Sequence, residues 1–170
     1  MNDKVENEYK DIINNAWDYY ENKNINKATE EANEIIKKYP QKVGGYYLMG
    51  VIEYNKNNFV KSVEFLKNAL EHDIENKAGG YIHFFLGKNY NEKSKEWFID
   101  FVDNPIYNFN MAKFSFEKSF EYTDYPSDTV KELVKIHKKA RNNSLEVKSK
   151  NMMAKKETPL MTQYNAIKAK

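Results

Sequence analysis

The chain has 170 residues, 41% of them apolar and 15% aromatic, with no cysteine and a formal net charge of +2. That length supports one domain with a buried core, and so high an aromatic content is not that of a chain that stays unfolded. The lack of cysteine excludes disulfides, thiolate nucleophiles and cysteine-bound zinc.

Gly (6) and Pro (4) are too few for the many tight turns of an all-β fold, so helix is expected. The opening MNDKVENEYK holds no apolar segment, so no secretory signal is expected. No run of 18 apolar residues occurs, so membrane insertion is not expected and a cytoplasmic location is. Charge is unevenly placed. Residues 127–170 carry 11 Lys and Arg against 4 Asp and Glu, whereas residues 1–126 carry 16 against 21. The basic part is either a solvated helix with a soluble tail or a contact for an acidic partner or nucleic acid.

In chain order, a first helical pair is expected over 5–22 and 25–39, and Pro40 closes it. A second is expected over 44–55 and 59–72, with Lys56, Asn57 and Asn58 as the break between them. Near-copies open the second and third units: GGYYLMGVIEY from Gly44 and GGYIHFFLGKNY from Gly79. Their Gly-Gly pairs read as flexible helix starts. No Lys-Ser/Thr follows, as a phosphate-cradling loop requires.

Small residues recur along these units. Ala16 precedes Ala28 by 12 residues, and Gly50 precedes Ser62 by 12. Leu66 and Ala69 continue the second pair, and Ala112, Phe116 and Ser119 repeat the spacing of Ser62, Leu66 and Ala69. Such spacing lets two amphipathic helices cross closely at small residues while larger apolar ones fill the space between hairpins. One hairpin cannot bury its apolar face alone, so copies stack.

Gly87 precedes Ala112 by 25 residues, an excess of 13 over the other units. Trp97, Phe98, Phe101 and Val102 recur at helical spacing and predict a short amphipathic helix over 93–103, ended by Asp103, Asn104 and Pro105. It either extends the preceding helix or folds across it. Trp97 and Phe101 either cover the third hairpin's core or border a binding face. After Pro126, Ser127 or Asp128 can cap a further helix. Val130, Leu133, Val134, His137 and Ala140 form its apolar stripe among Lys and Arg, as a helix closing a stack requires. Residues 1–150 read as one repeat domain, and 151–170 as a flexible basic tail whose PLMTQY is a frayed end or a docking motif.

LGKNY at 86–90, the Ala-x-x-x-Phe of Ala112 and Phe116, Pro40 and the 34-residue shift resemble the tetratricopeptide repeat family over residues 9–126. Glu53 stands where the family has Tyr, Ile74 where it has Pro, and Ala32 where it has Phe. The resemblance implies an all-α, right-handed α-solenoid of three helical hairpins, to which the residues themselves add an inserted helix in the third and a C-terminal capping helix. It also implies a concave groove lined by the first helix of each hairpin. Laid on that register, the groove holds Ile13, Trp17 and Tyr20, then Tyr47, Val51 and Tyr54, then Tyr81, Phe84 and Lys88. The family's peptide-carboxylate clamp uses Lys, Asn and Arg at such places. Here Ile13, Trp17, Tyr47 and Val51 replace most of it, so the expected ligand is a protein or peptide with an apolar or aromatic segment.

No catalytic residue is assigned. His72, His83 and His137 are far apart, and neither a His-x-x-x-His pair nor a G-x-S-x-G context occurs. Acidic runs such as Glu30-Glu31 read as helix surface. No cofactor and no metal is expected. The expected function is a non-catalytic protein- or peptide-binding adaptor using the aromatic groove. The alternative is a chaperone that shields an apolar segment of a secreted or membrane-bound client. A nucleic-acid binder acting through the basic C-terminus ranks third, because the body is acidic and Tyr164 alone interleaves the basic residues.

Overall fold

The computed structural model describes residues 3–74, 77–94, 105–122 and 124–142. Among them are seven α-helices and no strand: α1 (Asp3–Glu21), α2 (Ile25–Lys38), α3 (Val43–Asn55), α4 (Phe59–His72), α5 (Gly79–Lys93), α6 (Pro105–Glu121) and α7 (Asp128–Asn142). Each helix packs on the one before it and the one after it, and α3 also touches α1 and α5. The protein is therefore all-α, with helices packed in chain order. The first four lie within two residues of the expected limits. Among the described residues, no helix is long and apolar enough to cross a membrane.

The turns explain why two helices fold back at these points. Lys23 N–H donates to the Tyr20 carbonyl (2.9 Å) and Asn24 N–H to the Tyr19 carbonyl (2.8 Å). The α3–α4 turn repeats both bonds 34 residues later, from Asn57 to Tyr54 and from Asn58 to Glu53, each at 2.9 Å. Lys23 (φ 60°) and Asn57 (φ 62°) both adopt the left-handed conformation that ends a helix while satisfying its last carbonyls. The sequence repeat is thus also a repeat of backbone hydrogen bonding.

The core forms two clusters. One gathers Ala16, Ala28, Ala32, Ile35, Leu48 and Ile52 from α1 to α3, and the other Leu66, Ile82, Leu86, Phe116, Leu133 and Ile136 from α4 to α7. The small residues sit where helices cross. A Cβ on Gly50 would stand 2.7 Å from Leu66 Cδ2, and one on Gly87 would stand 2.7 Å from Phe116 Cδ1. Ala112, Phe116 and Ser119 are all buried, as their spacing predicts.

The Gly-Gly pairs sit at helix starts, as expected. They lie within the first turns of α3 and α5, and no glycine has positive φ. They supply room. A Cβ on Gly44 would run into the Tyr9 hydroxyl and Ile13, one on Gly45 into Ile35 and Ile36, and one on Gly80 into the Asp124 carbonyl.

The three departures from the repeat pattern also have local causes. Glu53 is buried and accepts hydrogen bonds from Asn58 Nδ2 (2.8 Å) and Lys56 Nζ (3.2 Å), which tie it to the start of α4. Burial pushes its carboxyl up, but those donors and the Lys56 charge outweigh it and leave the group below its ordinary range. Ile74 is 83% exposed. The turn is instead held by Asp73, which accepts from the backbone N–H groups of Lys77 and Ala78, each at 3.0 Å. Ala32 is fully buried, and its carbonyl lies close to Gly45, so α2 and α3 approach where a Phe would hold them apart.

Residues 95–103 of the expected inserted helix, with Trp97 and Phe101, lie outside the described residues, as do 143–150 and the expected tail at 151–170. Lys93 ends α5. Pro105 opens α6 rather than merely ending what precedes it, and the first helical position is where a missing N–H costs least. On α7, Val130, Leu133 and His137 are buried as expected. Ile136 is buried as well, while Val134 is only half-buried, so the apolar face is rotated toward Ile136.

Candidate functional site

Helices α1, α3 and α5 touch in order, and residues spaced i, i+4 and i+7 share one face of each. Their rings meet across the helix boundaries. Tyr20 and Trp17 stand edge to face at 5.5 Å, Trp17 and Tyr47 are tilted at 5.5 Å, and Tyr47 and Phe85 (6.1 Å) and Phe85 and Tyr54 (5.7 Å) again stand edge to face. Such distances and tilts are those of attractive ring pairs. The result is one ladder drawn from three hairpins. Lys88 ends it, with Nζ 4.6 Å from the Tyr54 ring centre, 5.5 Å from that of Phe84 and 5.2 Å from that of Phe85. An ammonium so placed is attracted to the ring faces.

Of the nine residues expected in the groove, Trp17, Tyr20, Tyr47, Tyr54 and Lys88 join this ladder. Tyr81 is 37% exposed on α5, and Ile13 is half-buried against Gly44. Val51 and Phe84 are not groove surface: they are 2% and 7% exposed. Phe84 turns into the third hairpin and packs edge to face on Phe116 at 5.9 Å. Val51 is a short aliphatic side chain at the repeat position of Trp17, and it stays covered. Phe85 takes the place given to Phe84. The signal was present, because a shift of 34 carries Trp17 to Val51 and then to Phe85.

Burial pushes the phenols of Tyr47, Tyr54 and Tyr20 upward. Nearby Glu92 and Glu132 add to the shift at Tyr54, and a hydrogen bond from Asn55 Nδ2 partly offsets it at Tyr20. These phenols stay neutral and cannot release a proton near pH 7. The surface therefore offers flat apolar faces, neutral hydroxyls and one ammonium, which suits contact with apolar and aromatic side chains and not proton transfer.

The histidines lie apart from the ladder. His72 stacks on Tyr46 at 4.9 Å, and His83 faces Tyr122 at 5.8 Å, where burial lowers its pKa. Among the described residues, no group of three or more His, Cys, Asp or Glu is placed to hold a metal ion. No family model matches this chain, and no curated protein is significantly similar to it in sequence.

Proposed function

We propose that the chain is a tetratricopeptide-like, right-handed solenoid that acts as a non-catalytic binding protein. Its aromatic ladder holds a protein or peptide segment bearing apolar or aromatic side chains. The observation that carries this reading is the continuity of the ladder: rings from α1, α3 and α5 meet in unbroken sequence while Tyr81 stays exposed beside them. Aromatic side chains bury large areas at low entropic cost and dominate binding hot spots. Support for the solenoid comes from the 34-residue repetition of the two turns and from the packing of helices in chain order.

The test is retention of partners from native lysate on the immobilised full chain, with mass spectrometry of what is held. Tyr54→Ala with Tyr81→Ala should abolish retention, since losing a buried hot spot costs about 2 kcal/mol or more. Circular dichroism must show unchanged helix content. A folded double variant that keeps the same partner overturns the reading. A folded client points to an adaptor, and an unfolded client to a chaperone.

A further inference from the structure

We infer that Asn89 is a positioning residue for the groove: through a buried hydrogen-bond chain it fixes the register of α5 on α3 and α4, and so holds Phe85 and Lys88 against Tyr54. Asn89 is fully buried in the middle of a helix, where an apolar residue would be the ordinary choice. Its Nδ2 donates to the Phe85 carbonyl one turn back (2.8 Å) and to Ser62 Oγ on α4 (2.9 Å). Ser62, also fully buried, donates in turn to the Gly50 carbonyl on α3 (2.7 Å). The chain thus runs across three helices. At one end it holds the residue that carries the Phe85 ring, and at the other a carbonyl one turn before Tyr54.

Apolar contacts between helices tolerate small slides, because many nearby arrangements bury similar area. A buried hydrogen bond does not, since a slide leaves donor and acceptor unpaired in a low-dielectric interior. Gly50 contributes twice. It lets Leu66 approach, and that approach brings Ser62 within reach of its carbonyl. Asn89 Oδ1 has no partner among the described residues, so the device is retained at some cost in stability. Buried polar groups that specify register at such a cost are known from helical assemblies.

The inference rests on the groove reading only for its consequence in binding, and the test needs no ligand. In the full chain, nuclear magnetic resonance should show the Lys88 methylene signals shifted upfield by the Tyr54, Phe84 and Phe85 rings. Asn89→Leu should keep the fold, with a thermal midpoint equal to or above that of the natural chain, because a buried unpaired acceptor is gone. The Lys88 signals should nevertheless move to random-coil positions, and the contacts between Tyr54 and Phe85 protons should be lost. A merely structural role predicts the reverse, a lower midpoint with unchanged Lys88 shifts, and that result overturns the inference. If Asn89→Leu does not fold, Ser62→Ala decides: upfield shifts retained in Ser62→Ala overturn it, and shifts lost support it. Ser62→Thr keeps the hydroxyl and should keep the shifts. Their loss there also overturns it. Lysate retention by Tyr54→Ala with Tyr81→Ala is read separately, so either idea can fail without the other.

Discussion

Trp17 on α1 and Tyr47 on α3 hold their ring centres 5.5 Å apart at an interplanar angle of 46°. Neighbouring hairpins therefore meet through ladder side chains as well as through their cores. Tyr47 extends the contact to Phe85 and packs against the larger core cluster. Removing its ring takes support from both sides. Tyr47→Ala should lower unfolding free energy by about 3 kcal/mol, in the range of large-to-small core changes. Tyr47→Phe keeps the ring and should leave the urea midpoint near that of the natural chain. An alanine variant with an unchanged midpoint would show that the ring contact carries no structural weight. Tyr54 and Tyr81 are the better pair for binding tests for this reason.

Gly50 faces Leu66 at the α3–α4 crossing. A methyl at Gly50 would meet both Leu66 Cδ2 and Cγ at 2.7 Å, so one helix must shift. Gly50→Ala should cost about 1–3 kcal/mol by overpacking, partly offset by about 1 kcal/mol of helix propensity. Leu66→Ala alone should cost about 2–5 kcal/mol. The double variant should cost less than the two single costs combined, because the small residue at 66 makes room for the methyl at 50. Urea denaturation of all four chains gives the cycle. Strict additivity would remove Gly50 from the crossing.

The two left-handed turn residues differ in how well they tolerate that conformation. A side chain other than Gly, Asn or Asp there costs about 1–2 kcal/mol, while Asn bonds locally and suffers less. Lys23→Gly should therefore stabilise by about 1 kcal/mol once the greater freedom of Gly in the unfolded chain is counted. At this chain length that raises the thermal midpoint by about 2–4 °C. Asn57→Gly should give a smaller rise. A lower midpoint in both variants would contradict the shared turn geometry.

Most of the helix plan was legible because hairpins repeat physical needs at fixed spacing. Ala16, Gly50 and Gly87 mark crossings, and α4 begins at Phe59 directly after the Lys56–Asn58 break, as expected. The Gly-Gly pairs were placed at helix starts, but the room they supply was not legible, because a single sequence shows a glycine but not the side chain that needs its space, here Tyr9 at Gly44. Five of the nine expected residues, Trp17, Tyr20, Tyr47, Tyr54 and Lys88, join the aromatic ladder, whereas Val51 and Phe84 are buried. Phe84 and Phe85 are adjacent and equally apolar, so only the strict 34-residue shift singles out Phe85, and at Val51 the same shift lands on a covered side chain. Asn89 gave no signal at all. A polar residue inside LGKNY reads as solvent-facing until Ser62, 27 positions away, is brought beside it.

His137 supplies a test of how α7 is held. It is 1% exposed where α7 packs on α6, and neither ring nitrogen has a hydrogen-bond partner among the described residues. Burial, with the Lys113 charge adding to it, lowers its pKa from 6.5 to about 4. The Glu117 carboxylate on α6 lies 3.8 Å from Nε2 and pulls the other way, but it is partly exposed and does not prevail. The folded chain thus holds the imidazole neutral, while the unfolded chain protonates it near pH 6.5. Stability from this residue is fully present above pH 6.5 and is lost as pH falls toward about 4. The loss amounts to about 3 kcal/mol across that window. His137→Leu is close in size and leaves no buried nitrogen unpaired, so its thermal midpoint at pH 7 should match or exceed that of the natural chain. Between pH 7 and pH 4 the Leu variant should lose less stability than the natural chain, the difference being the His137 contribution. Parallel loss in the two chains would mean that carboxylates alone set the acid limit and that the α6–α7 seam does not respond to this imidazole.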